Sequence, residues 1–184
     1  WLRLNVHGHA APIRVLRFSG DGRRLLSAGD DKALVVWRRD PAQPTRLRYE
    51  RVIRWQVQRG TRGRIYALAP VGNLVAFAGH GAMGGVGEIL LVDLATGNHQ
   101  ATLFDEAVGH RQVVVALDAI ATAEGPCVAS HSMDGRTLLW RKDARGVWKA
   151  TVATTDDRSA GQPLAERPLA ARSYAGVVRI GTHA

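Results

Sequence analysis

One pattern of residues occurs twice in this chain, and a repeat constrains architecture more than any single segment does, because each copy must be able to build the same unit. The first copy opens on Gly8-His9, runs through Leu25-Leu26-Ser27-Ala28-Gly29-Asp30-Asp31 and ends at Trp37. The second opens on Gly109-His110, runs through Cys127-Val128-Ala129-Ser130 and Asp134, and ends at Trp140. Counted back from each tryptophan, aspartate stands at six residues and serine at ten in both copies, and histidine at 28 in one and 30 in the other. A weaker third unit lies between them: Ile65 to Ala69, Leu74 to Ala78 and Ile89 to Leu94, with Val92 where tryptophan would stand. The unit ends are then 55 and 48 residues apart, so extra residues are expected in loops.

The units read as strands. Apolar runs of about five residues, such as Ile13 to Phe18, Leu34 to Trp37, Val113 to Ile120 and Leu138 to Trp140, are rich in β-branched and aromatic residues and are broken by Gly, Asp, Asn and Pro. No segment holds an apolar i, i+3, i+4, i+7 face over helical length. Asp21-Gly22 and Asp134-Gly135 tolerate the positive φ of tight hairpin turns, which predicts antiparallel neighbours. Pro41 and Pro44 mark Asp40 to Thr45 as a loop, with strand resuming over Leu47 to Val57 and a last outer strand over Gly146 to Thr155.

Gly-His and a terminal Trp at this distance within a four-stranded unit resemble the WD-repeat family. The resemblance implies an all-β fold, a β-propeller of four-stranded antiparallel blades in an incomplete ring, with about three to four blades in this chain. The expected divisions are an outer strand at 1–7, a blade at 8–58, a degenerate blade at 61–104 and a blade at 109–155. Residues 156–184 are expected to be a linker and the start of a further strand. A ring of this kind closes with about 4 to 8 blades, so the chain is expected to be a piece of a larger propeller. The family further implies a structural hydrogen-bond network in each full repeat, here His9, Ser27, Asp31 and Trp37, and His110, Ser130, Asp134 and Trp140. A buried aspartate needs such donors, since unpaired charge is expelled from a core.

The function implied is a non-catalytic protein–protein interaction scaffold. Expected partners are other proteins or the remaining blades of the parent chain, and the loops flanking the repeat histidines are the expected contact surface: Ala10, Ala11, Pro12, Asp30, Lys32, His80, Met83, Arg111, Gln112 and Met133. Two alternatives stay open, a regulatory or sensor segment of a larger multidomain kinase or protease, and a nucleic-acid platform.

The repeated Ser, His and Asp also suit a hydrolytic triad. They recur at one repeat phase, however, each with a tryptophan that a triad does not require, and no G-x-S-x-G precedes either serine, so architecture is the simpler reading and no catalytic residue is expected. His7-Gly8-His9 lacks the further ligands of a metal site. Gly79, Gly81 and Gly84 spell G-x-G-x-x-G, yet the following Glu88 to Leu94 reads as strand where a dinucleotide loop must open a helix. No metal, cofactor or small-molecule substrate is therefore expected.

The formal net charge is +9, with 25 Lys and Arg against 16 Asp and Glu, which invites a nucleic-acid reading. Arg46, Arg48, Arg51, Arg54, Arg59, Arg62 and Arg64 interleave with Tyr49, Trp55 and Tyr66. Because several of these arginines alternate with apolar residues, a solvated outer strand explains them more simply, and nucleic acid is disfavoured. No apolar run approaches the roughly 18 residues of a spanning helix, and the first nine residues lack a signal-peptide core. The lone Cys127 has no partner for an internal disulfide. A cytoplasmic, membrane-free protein is the expectation.

Overall fold

The computed structural model describes residues 8–55, 60–81, 85–122 and 125–153. The expected outer strand at 1–7, the segment 156–184, Met83, Gly84, Arg59, His7 and Val57 lie outside the described residues. Among those described, every regular element is a strand, and the strands form three four-stranded antiparallel sheets in plain sequence order. The first holds β1 (Ile13–Phe18), β2 (Arg24–Gly29), β3 (Ala33–Arg39) and β4 (Leu47–Arg54). The second holds β5 (Ile65–Val71), β6 (Leu74–Gly79), β7 (Ile89–Asp93) and β8 (His99–Leu103). The third holds β9 (Val114–Thr122), β10 (Gly125–Ser132), β11 (Thr137–Lys142) and β12 (Trp148–Val152). The expected all-β, unclosed stack of four-stranded antiparallel units is what the chain forms.

The turns explain why consecutive strands pair. Between β1 and β2, the Ser19 hydroxyl accepts from the Arg24 amide at 2.9 Å and donates to Asp21 Oδ1 at 2.6 Å, and Gly22 takes φ +66°. The outer strands of the first and third sheets have other bounds than the sequence reading gave them. β4 ends at Arg54 because its partner β3 begins at Ala33: the Trp55 amide still reaches Lys32 O in the turn at 3.2 Å, while its ring packs edge-on against Phe77 with centroids 5.4 Å apart. β12 begins at Trp148 because Asp143 to Gly146 is occupied by a turn, closed by the Gly146 amide on Asp143 O at 2.9 Å.

The sheets stack through two apolar seams. Between the first and second lie Leu26, Leu34 and Val36 against Leu68, Val75, Phe77 and Val92. Between the second and third lie Ala76, Ala78 and Leu91 against Leu117, Val128, Leu138 and Trp140. Each fully buried large apolar side chain contributes about 1.5–3 kcal/mol, so stacking and not strand pairing alone holds the units together. The register makes the three sheets comparable position by position: Trp37 faces Leu25, Val92 faces Val75 and Trp140 faces Val128.

Candidate functional site

In the first sheet the structure brings His9, Ser27, Asp31 and Trp37 together. Trp37 Nε1 donates to Ser27 Oγ at 2.7 Å, and His9 Nε2 lies 2.8 Å from the same oxygen. His9 Nδ1 is 3.0 Å from both Asp31 carboxylate oxygens. The partners fix the direction of the relay. Indole N–H can only donate and carboxylate can only accept, so a singly protonated His9 carries its hydrogen on Nδ1 and accepts the serine hydroxyl at Nε2. Asp31 Oδ2 also accepts the Ala10 amide at 2.9 Å, which ties the segment entering β1 to the β2–β3 turn.

The third sheet repeats this with one change. Trp140 Nε1 donates to Ser130 Oγ at 2.8 Å and His110 Nε2 lies 2.7 Å from it. His110 Nδ1, however, stands 3.4 Å from Asp134 Oδ2, beyond good hydrogen-bond length. Asp134 is held instead by the amides of Arg111 and Arg136 at 2.9 and 3.0 Å and by Arg136 Nη2 at 3.0 Å. Burial pushes the Asp134 carboxyl up, but those donors and His110 outweigh it and hold it well below the usual carboxylate range. Burial pulls His110 below its ordinary value, and the Asp134 charge offsets only part of that. His110 is thus neutral at pH 7.

The second sheet has none of these residues. Ser27 faces Val35 and Ser130 faces Leu138, and the matching place opposite Leu90 is Phe77. Where Asp31 follows Gly29 by two residues, Gly81 follows Gly79. Gly81 sits at φ +59°, with the Gly85 carbonyl where a Cβ would point, so that place takes only glycine. Phe77 and Val92 fill with carbon what the other sheets fill with a polar relay.

Ser27 and Ser130 are both buried and each hydroxyl is engaged by an indole and an imidazole, so neither can meet a substrate carbonyl. Among the described residues no three His, Cys, Asp or Glu side chains gather as metal ligands would. Gly79 closes β6 and the chain enters β7 at Ile89, so this connection joins two strands of one sheet.

Of the loop residues named as partner contacts, Ala10, Ala11, Pro12, Asp30 and Lys32 lie at one end of the first sheet and Arg111, Gln112 and Met133 at the corresponding end of the third. Pro12, Arg111 and Gln112 are exposed, Ala11 and Lys32 half-buried, and Met133 is 64% exposed. Lys32 holds φ 63° in its turn. Asp30 is already engaged: Arg14 Nε and Nη2 reach its two oxygens at 3.0 and 2.6 Å, and this fork holds its carboxyl below the ordinary range. His80 is half-buried, and its amide donates to Arg64 O at 3.0 Å. Arg136, which no sequence pattern marked, anchors the other end of the third sheet's rim by donating to Val108 O at 2.9 Å and Gly109 O at 2.6 Å. Its carbonyl partners are 27 and 28 residues away, so no local signal announces it.

Residues 2–38 match the family model described as WD domain, G-beta repeat. Similar solved structures are WD-type propellers. The structure of U3-55K is 20% identical with a TM-score of 0.58, the match covering 78% of this chain and 38% of that one. The WD40 β-propeller domain of Doa1 is 21% identical with a TM-score of 0.57, covering 80% and 42%. The β-propeller domain of Myceliophteria thermophila Cps50 (Swd1) is 16% identical with a TM-score of 0.56, covering 84% and 44%. The chain therefore spans less than half the length of these structures. No curated protein matches the sequence. No helix among the described residues is long and apolar enough to cross a membrane.

Proposed function

Because the chain carries a WD repeat and folds as part of a WD-type β-propeller, we propose that it is a non-catalytic platform for other proteins within a larger propeller. The observation that carries this reading is the tethering of the rim. In the first and third sheets a half-buried aspartate takes the amide of the residue after the repeat histidine, Ala10 in one and Arg111 in the other. The relay thereby presents Pro12, Arg111, Gln112 and Met133 from fixed backbone, and preorganised side chains lose less entropy on binding. Rigid loops on a stacked scaffold are where recognition residues concentrate.

Membership in a larger ring is supported by a like-for-like comparison of burial. Leu16, Leu68 and Leu117 occupy one register position, opposite Ser27, Phe77 and Ser130. Leu68 and Leu117 are 1% exposed beneath the preceding sheet, whereas Leu16 is 37% exposed and Phe18 beside it 39%. A further blade laid on that face would bury both.

The test is quantitative affinity capture with the native chain and with a Met133→Asp/Arg111→Glu variant. Proteins retained by the first and lost by the second would support rim binding. Identical captured sets would overturn it.

A further inference from the structure

The positive charge is not spread over the molecule. Residues 8–55 hold eleven Lys and Arg against five Asp and Glu, a net of +6 of the chain's +9, whereas residues 60–104 hold two of each and residues 105–153 six of each. Within the first sheet the excess lies at the end away from the histidine rim. Arg24, Arg38 and Arg48 stand directly opposite one another across β2, β3 and β4. Alternation places this row on one face of the sheet, about 4.8 Å from strand to strand.

Like charges directly opposite one another destabilise a sheet. The matching row of the second sheet pairs Leu74 with Asp93, so the fold does not demand arginine there. Two of the three charges are answered internally. Arg24 grips Glu50 through Nε at 2.9 Å and Nη2 at 3.1 Å, and Arg48 Nη2 meets Asp40 at 2.9 Å. The middle one is not: Arg38 is exposed and has no carboxylate partner among the described residues, nor has Arg46 in the adjoining loop. A local rule broken without an internal compensation marks a functional surface.

We propose that this arginine row docks a carboxylate-rich, acidic segment of a partner protein. The chemistry of the row favours that occupant. Every cation in it is a guanidinium, whose planar fork matches carboxylate, and two of the three already hold carboxylates. A single-stranded nucleic acid would need stacking platforms as well as charge. The neighbouring aromatics, Trp37 and Tyr49, lie on the opposite face and pack edge-on against each other with centroids 6.2 Å apart. This surface is separate from the histidine rim, so the reading stands or falls independently of the rim platform.

The experiment titrates the native chain into three labelled probes of equal length: a peptide of Asp, Glu and Ser, the same peptide with Asn and Gln in place of the acids, and a single-stranded oligonucleotide. Anisotropy is read at low and at physiological salt. The acidic peptide should bind, with affinity falling as salt rises, and the amide peptide should not. Arg38→Glu/Arg46→Glu should weaken binding about tenfold or more, since each pair lost is replaced by repulsion. Arg38→Gln/Arg46→Gln, which removes charge from two exposed side chains without adding any, should weaken it less but in the same direction. Arg145→Glu, an exposed charge reversal in the turn before β12, should leave it unchanged. Absence of binding to the acidic peptide, indifference to both double variants, or tighter binding of the oligonucleotide would each overturn the proposal.

Discussion

The two seams of this molecule solve one packing problem with different chemistry. Between the second and third sheets, Trp140 and Ser130 are buried together with His110, whose Nδ1 faces Asp134 near the surface at 3.4 Å. Between the first and second sheets the equivalent places are Val92 and Phe77, and Trp55 closes the gap with its ring edge. Both seams exclude water, and both keep the same register. A polar relay is therefore not required to stack one blade on the next. What it adds is direction, because hydrogen bonds fix angle as well as contact, and Asp134 beside it holds the backbone of Arg111 and Arg136 through their amides. The carbon-filled seam stabilises the stack without tethering any rim segment through a carboxylate.

The contrast can be broken most severely at the dry seam. Phe77→Ala should cost about 3–5 kcal/mol, because a rigid interface between two sheets cannot collapse onto the cavity. Chemical denaturation of the variant checks it, and a loss below about 1 kcal/mol would mean that the seam repacks freely. Next in size is the wired seam: Asp134→Ala, or Asp31→Ala in the first sheet, should cost about 1.5–3 kcal/mol, the cost of losing a charged hydrogen bond. Unchanged melting temperatures in both would reject a structural role for the relay.

A smaller effect separates the seams by pH. His110 binds its proton less readily folded than unfolded, so the stability it confers is complete above its ordinary value of 6.5 and is lost as pH falls below it. Asp134, also held low, adds a loss that begins only below about 3.8. Both signs point the same way, toward destabilisation by acid. The melting temperature should fall between pH 7 and 5, and His110→Gln should flatten that fall; an unaltered slope would show that the imidazole is not the titrating group. The smallest change is expected at Leu16→Ala, at most about 1 kcal/mol in this chain, against about 2–5 kcal/mol for its register partner Leu68→Ala. Equal losses would show that the outward face of the first sheet is already covered.

Serine and aspartate stood out in the sequence because they recur at constant distance from tryptophan, the histidines lie at 28 and 30 residues, and the relay among them was what the family resemblance implied. The same count failed in the second sheet. Serine lies ten residues before tryptophan in the other two, but Phe77 lies fifteen before Val92, because the longer connection after Gly79 breaks the interval. Only the strand register shows the two positions to be equivalent. Arg14 with Asp30, and Arg136 with the carbonyls of Val108 and Gly109, were likewise illegible, since each depends on segments that meet only when the sheets are formed.

By itself the sequence determined that the chain is built of repeated antiparallel strands, where the hairpins turn, and which histidine, serine, aspartate and tryptophan belong to one unit. These follow from alternation, turn chemistry and spacing, all properties of neighbouring residues. Tertiary structure alone decided that one seam is dry and the other wired, that Asp30 is engaged by an arginine, and that Arg24, Arg38 and Arg48 form a row. Those arginines are scattered over 25 residues of sequence and become neighbours only across strands. The net charge of +9 was legible from composition, but its concentration into one facing row exists only once the sheet has set the register.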